Sequence, residues 1–186
     1  MLGFGQSNDW TNDKVQSLYE QNINEFIVDK TGSIISAVES SDLNKYTIYQ
    51  SRENDKVTGY AIPIAGKGLW GTMYGYFAIE PDAETVKGIT FYRHKETPGL
   101  GAEVDKEWFQ NNFVGKKLID TNGSLVSVEV VKGYVSSTDP KAMHKVDGIS
   151  GATITGKGLT TFLKNDLQKY EPYLAKVRKL NQIESL

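Results

Sequence analysis

The chain has 186 residues, a formal net charge of −2, 39% apolar residues and 24% charged residues. That length suits one domain with a real core, and the composition is ordinary for a soluble globular protein. The small net charge supplies no basic field for nucleic acid or anionic lipid, the lack of cysteine excludes disulfides, thiolate metal sites and iron–sulfur clusters held by this chain, and His94 and His144 are too few for a histidine-rich metal site.

Residues 1–9 read as a flexible lead with neither the basic nor the apolar region of a signal peptide, and no apolar run reaches the roughly 20 residues needed to cross a bilayer. A single domain is expected over 10–180, with a C-terminal tail over 181–186. Val15, Leu18, Tyr19 and Ile23 form a helical stripe from about Thr11 to Asn24. Glu25–Asp29 then reads as a short strand, Thr31-Gly32 as its turn and Ser33–Ala37 as its hairpin partner. Lys45–Gln50 alternates with period two, and Val57–Ile64 follows after a polar turn. Pro63 predicts that this strand lies at an edge or ends there. Further strands are expected at Thr72–Ile79 and Val86–His94, separated by a Pro81-Asp82 turn.

After the loop His94–Gly101, the residues Val104, Trp108, Phe109 and Phe113 predict a helix over Ala102–Phe113. Leu125–Val135 is β-branched and reads as a strand; the sequon Asn122-Gly123-Ser124 before it reads as a turn. Leu159, Phe162, Leu163 and Leu167 mark the buried face of a helix from about Thr155 to Tyr170, which Pro172 ends or kinks before a short basic helix over Tyr173–Leu180. There is no internal repeat. Strands cluster in the middle and helices at both ends, an α+β pattern with antiparallel sheet rather than alternating βαβ units.

Two loops carry chemistry. Ser150, Thr153 and Thr155 gather three hydroxyls, with Gly151 among them, at the start of the last helix. Free backbone N–H groups and the positive end of the helix dipole there suit a phosphate; a plain Ser/Thr N-cap is the simpler reading. Two look-alike motifs fail in context. Gly151–Lys157 fits the first seven positions of a P-loop, but Gly158 stands where magnesium needs a hydroxyl and Met143–Asp147 is no buried strand. Gly66–Gly71 spells G-x-G-x-x-G, but a strand rather than a helix follows. In the second loop, His94–Gly101, two glycines and a proline make a compact turn whose backbone could lie close to a flat ligand, with Thr97 offering polar contacts. Composition alone makes it a turn.

Asp147-Gly148-Ile149-Ser150-Gly151-Ala152-Thr153 resembles the covalent-flavin motif of FMN-binding domains. In that family a flavin transferase takes FMN from FAD and joins its phosphate to the last hydroxyl, here Thr153. Glu96–Gly101 is similar to the family loop that lies against the flavin, and with Gly68–Gly75 the chain resembles the C-subunit family of sodium-translocating NADH:quinone reductases over roughly residues 57–165. The sister G-subunits of ion-translocating ferredoxin:NAD oxidoreductases share the acceptor motif and the loop but fit Gly68-Leu69-Trp70 less well, and remain the alternative. The resemblance implies an electron carrier with covalent FMN, other members of the complex and a flavin transferase as partners, and no turnover alone. It places the full-length protein on the outer face of a bacterial cytoplasmic membrane, whereas this chain, lacking the family's N-terminal membrane helix, reads as a soluble piece.

The resemblance also assigns parts. Ser150 and Thr155 would donate to the phosphate, beside Gly151 and Ala152. Lys145 or Lys157 would offset its charge, although Lys157 reads equally as a solvated surface lysine. Asp147 would serve the transferase step, or else form an Asx turn. Thr97, Gly99 and Leu100 would face the isoalloxazine, and Trp70 would be either core or a flat wall for the ring. His94 and His144 read as structural or exposed. A flavin-free binding or scaffold domain of the same fold is the reading from a different class.

Overall fold

The computed structural model describes residues 11–36 and 44–184. The flexible lead at 1–9, the end of the hairpin partner at Ala37 and the last two residues of the expected tail lie outside them. A short helix, α1 (Asn12–Asn22), is capped by the Thr11 hydroxyl, which accepts the Lys14 N–H at 3.3 Å. Six strands follow: β1 (Ile23–Val28), β2 (Ile34–Ile35), β3 (Tyr46–Glu53), β4 (Lys56–Lys67), β5 (Thr72–Ile79) and β6 (Val86–Arg93). They form one antiparallel sheet in the order β2-β1-β3-β4-β5-β6. With helices toward both ends, the architecture is α+β.

Alternation sorts the side chains. Ile48 on β3, Tyr60, Ile62 and Ile64 on β4, and Met73, Phe77 and Ile79 on β5 are all buried. Against that face lies α3 (Thr153–Glu184), 32 residues long, with Leu159, Phe162, Leu163 and Leu167 buried as its periodicity predicts. Each such side chain contributes about 1.5–3 kcal/mol by leaving water. The far face carries a run of tyrosine rings, Tyr49–Tyr76–Tyr92–Tyr74, with the Arg93 guanidinium 4.1 Å over Tyr74.

Pro172 neither ends nor splits the last helix; α3 runs through it. The apolar stripe continues on both sides, through Tyr170, Leu174 and Val177, and the rings of Tyr170 and Tyr173 pack against Tyr46, Phe26 and Tyr60 of the sheet. That burial outweighs the roughly 3 kcal/mol that an interior proline costs a helix. Pro63 likewise does not end its strand. β4 pairs with β5 from Tyr60 to Lys67, but its pairing with β3 stops at Ala61. Pro63 therefore sits where β4 has lost its β3 neighbour, so a local edge exists inside a central strand. The N–H of Ala65, two residues on, donates to Asp166 Oδ2 of α3 at 2.8 Å instead.

Two expected elements are reduced. Ala102–Phe113 is not one helix: a 3₁₀ turn over Gly101–Asp105 and the five-residue α2 (Glu107–Asn111) are separated at Lys106, whose backbone is extended. Val104, Phe109 and Phe113 are buried, but Trp108 is not, and its indole N–H donates to Glu103 at 3.1 Å. Leu125–Val135 contributes only β7 (Glu129–Val130), paired in parallel with β8 (Lys145–Val146). Ser127 has φ +69°, and the N–H groups of Val126 and Ser127 both turn to the Leu118 carbonyl, so the backbone cannot run as a ladder. Asn122–Ser124 is a turn closed by the Asp120 carboxylate.

Candidate functional site

The loop after β6 is built from local hydrogen bonds. His94 Nδ1 accepts the Glu96 N–H at 3.1 Å, and its Nε2 contacts Asp105 Oδ2 at 2.6 Å. The Thr97 carbonyl accepts the N–H groups of Leu100 and Ala102, each at 3.1 Å, and Gly99 closes the turn at φ +73°. Thr97 and Gly99 are exposed. Glu96 points the other way and is buried: its Oε1 accepts the backbone N–H of Trp70 at 3.0 Å, and its Oε2 accepts the Thr155 hydroxyl at 2.5 Å. The loop, the Gly68–Gly71 turn and the start of α3 thus meet at one carboxyl group.

At the start of α3, Gly151 has φ +73° and the first helical bond runs from the Gly156 N–H to the Ala152 carbonyl at 3.0 Å. The N–H groups of Thr153, Ile154 and Thr155 consequently have no acceptor inside the helix. Ser150 is exposed and Thr153 half-buried; among the described residues no hydrogen bond engages either hydroxyl. Thr155 is different, since its hydroxyl is taken by Glu96 and is turned away from solvent. The glycines of the look-alike motifs have packing reasons. A Cβ on Gly158 would stand 2.3 Å from the Lys67 carbonyl oxygen, and one on Gly66 would meet the Phe162 side chain at 2.0 Å. They let α3 lie directly on the end of β4.

The Pro-Gly loop also touches the hydroxyl motif: a Cβ on Gly151 would lie 2.7 Å from Leu100 Cδ2. Leu100 is 42% exposed and presents apolar surface beside the helix start; Trp70 is 65% exposed, so it is not a core residue, and it lines a cavity of about 430 Å³ with Arg93, His94 and Lys95. Gly99, Asp147, Gly148 and Ser150 line another cavity of about 430 Å³ together with Trp108 and Tyr134. Asp147 closes no Asx turn, since among the described residues its carboxylate does not take the Ile149 N–H. Its Oδ1 accepts the Val135 N–H at 2.7 Å, while the Gly148 N–H goes to the Gly133 carbonyl.

Ala152 is buried. Lys145 is held by Asp139 at 2.7 Å, a hydrogen bond that raises its pKa and ties up its charge. Lys157 is exposed and borders a separate groove of about 730 Å³ with Lys67, Leu69 and Ile154. His144 Nδ1 lies 2.7 Å from the Lys117 carbonyl oxygen, a structural contact.

Sequence reasoning passed over Glu96, Trp108 and Tyr134. Glu96 was legible in principle, as a carboxyl group inside a glycine-rich turn. The helical stripe expected to hold Trp108 does not form, because the segment breaks at Lys106 and leaves Trp108 exposed.

The antiparallel sheet backed by α3, with free hydroxyls at that helix's start under a glycine-rich loop, defines a ligand-binding domain of the FMN-binding class. The chain belongs to the FMN-binding domain family, whose model matches residues 68–168. It is 43% identical over 135 residues to the C-subunit of the Na(+)-translocating NADH-quinone reductase of Pseudomonas aeruginosa, a match covering 72% of this chain and 51% of that protein. The corresponding protein of Chlamydia muridarum is 36% identical over 187 residues, covering 86% of this chain and 57% of that protein. The chain thus spans about half the length of the curated relatives it matches. The crystal structure of Shewanella oneidensis NqrC superposes with a TM-score of 0.78 at 26% identity, covering 95% of this chain and 91% of that one. The C-subunit from Parabacteroides distasonis gives 0.76 at 33% identity, covering 89% and 84%. Among the described residues no helix is long and apolar enough to cross a membrane.

Proposed function

We propose that this chain is an electron-carrier domain that holds FMN through a phosphoester to Thr153 and relays electrons within a sodium-translocating NADH:quinone reductase. The observation that carries the reading is the unengaged Thr153 hydroxyl, at the first residue of a helix whose first three N–H groups lack internal acceptors. The residues present fit the group. The helix terminus meets a phosphate with N–H donors and a favourable dipole. Leu100 stands beside it with apolar surface for a flat ring, Trp70 is tied to the same helix turn through Glu96, and Ser150 keeps a free hydroxyl close by. Thr155 and Lys145, being engaged elsewhere, contribute by shaping the site rather than by contacting the phosphate.

In the attachment step a transferase would break the diphosphate bond of FAD. The Thr153 oxygen would take the FMN phosphate, with AMP as the leaving group and loss of the hydroxyl proton. The flavin, when bound, supplies one- and two-electron chemistry; the chain supplies attachment, orientation and a surface for the other members of the complex. Isolated turnover is not expected, and the full-length protein would sit at the outer face of the bacterial cytoplasmic membrane.

The test is mass spectrometry and in-gel flavin fluorescence of protein coexpressed with a flavin transferase. Wild type should gain one FMN minus water. Thr153→Ala should lose the label entirely while keeping its fold, because removing an N-terminal hydroxyl costs at most about 0.5–2 kcal/mol and leaves the buried stripe untouched. A label at wild-type intensity in the Ala variant would mean that Thr153 is not the acceptor. A wild type that stays unlabelled beside a labelled control substrate favours a flavin-free domain.

A further inference from the structure

Glu96 lies outside the roles derived above, yet it is the point where three separate stretches of chain meet. Its side chain is 6% exposed. No ion pair among the described residues includes it. Its two oxygens are met instead by the Trp70 N–H and the Thr155 hydroxyl. The space around them is kept by glycine. A Cβ on Gly68 would come within 2.6 Å of Oε1, and one on Gly101 within 2.6 Å of Oε2 and 2.7 Å of Thr155 Oγ1. A buried polar group is tolerated only when partnered, and its partners are then held in turn.

We infer that Glu96 is a positioning residue: its carboxyl group clamps the Gly68–Gly71 turn, the Pro-Gly loop and the first turn of α3 into one unit, and so sets where Trp70 and Leu100 stand relative to Thr153. Beside its bond to Glu96, Trp70 borders a cavity with Arg93, His94 and Lys95. The residue is 65% exposed, and among the described residues the other backbone tie within its turn runs from the Gly68 N–H to the Gly71 carbonyl at 2.8 Å. Leu100 rides on the same loop as Glu96, one residue before the glycine that makes room for the carboxyl group. Thr155 lies two residues after Thr153, so a fixed Thr155 fixes the helix turn that carries Thr153. The inference rests on the proposed flavin site for what the clamp serves, but the clamp itself can be measured without flavin.

The first measurement is amide hydrogen exchange on the flavin-free protein. Glu96→Ala removes both acceptors and should speed exchange at least tenfold at Trp70, with coupled acceleration at Leu100 and Ala102 and in the first turn of α3. Glu96→Gln should restore protection, because its amide oxygen can accept from Trp70 and its NH₂ can donate to the Thr155 oxygen. Thr155→Val, nearly the same shape, should loosen the helix start and the loop together, and it serves if the Ala variant fails to fold. Protection unchanged in Glu96→Ala or Thr155→Val, or lost equally in the Ala and Gln variants, would overturn the clamp.

The second measurement is flavin fluorescence of transferase-labelled protein. Glu96→Ala should brighten it as Trp70 moves off the ring, while Glu96→Gln stays near wild type. Equal fluorescence in wild type and Glu96→Ala would overturn the positioning of Trp70. A wild type that takes no flavin would overturn the functional reading, and the exchange data would still decide the clamp.

Discussion

At the scale of single residues, the site depends on where a side chain is absent. Gly99, Gly101 and Gly151 lie close in sequence or space but serve different ends. Gly99 and Gly151 take up left-handed backbone, and nothing stands within 4 Å of where a Cβ on Gly99 would lie. Gly101 instead makes room for the Glu96–Thr155 hydrogen bond. Gly101→Ala should therefore force that pair apart and cost about 1–3 kcal/mol, as inserting a methyl into a packed interior does. For a domain of this size that is a fall in melting temperature of about 2–4 °C per kcal/mol. Thermal unfolding followed by circular dichroism measures it. A Gly101→Ala protein as stable as wild type would mean that the cradle around Glu96 yields freely. Of the three hydroxyls that the motif brings to the helix start, the sequence could not say which were free. Ser150 and Thr153 are, and Thr155 is engaged by a residue 59 positions earlier.

At the scale of elements, the seam between α3 and β4 organises the molecule. β4 loses its β3 partner after Ala61, and the helix takes over the exposed backbone. Asp166, 5% exposed, accepts the Ala65 N–H at 2.8 Å and meets Lys169 at 2.5 Å. Asp166→Ala would remove the side chain that ties the exposed backbone of Ala65 to α3, so a loss of about 0.5–1.5 kcal/mol is expected. Asp166→Asn retains an oxygen for Ala65 and should recover most of it. Denaturant unfolding of the two variants decides this, and equal losses would assign the effect to the Lys169 ion pair instead. The helix stripe and the strands Thr72–Ile79 and Val86–Arg93 were readable from periodicity because each buries one face against a single neighbouring layer. The segments 102–113 and 125–135 depart from their periodicity for different reasons. Their buried apolar residues fill the core from irregular backbone: short 3₁₀-type bonds break the first at Lys106, and bonds to Leu118, Val146 and Thr160 bend the second.

At the scale of the whole molecule, the interface between α3 and the sheet contains buried phenols. Burial pushes the Tyr173 phenol up to about 12 and raises those of Tyr60 and Tyr170 as well. An acid whose pKa is raised on folding stays protonated in the native state while the unfolded chain ionises. Its stabilisation is complete below the ordinary tyrosine value of 10.0 and drains away as the pH rises through the folded value. The fold should thus lose stability as the pH rises from about 10 to 12, which lowers its resistance to alkaline unfolding. Tyr173→Phe, which keeps the ring against Phe26 and Tyr60, should move the midpoint of alkaline unfolding to higher pH. Far-UV circular dichroism across this range is the measurement; an unshifted midpoint would place the alkaline weakness elsewhere.

The sequence alone determined the α+β class, the strands of the central sheet, the buried stripe of the last helix and the stretch that carries the acceptor motif. Each of these is written in neighbouring residues, as a period of two or 3.6 or as a run of glycines and hydroxyls. Tertiary structure decided what lies between distant segments. It carried α3 through Pro172, because contacts with the sheet outweighed local preference, and β4 through Pro63, because the strand has lost its β3 neighbour there. It put Trp70 in solvent rather than in the core. It brought Glu96 under Thr155 and Trp70, turning three separate motifs into one site, since a buried carboxyl group must find its hydrogen-bond donors wherever the fold supplies them.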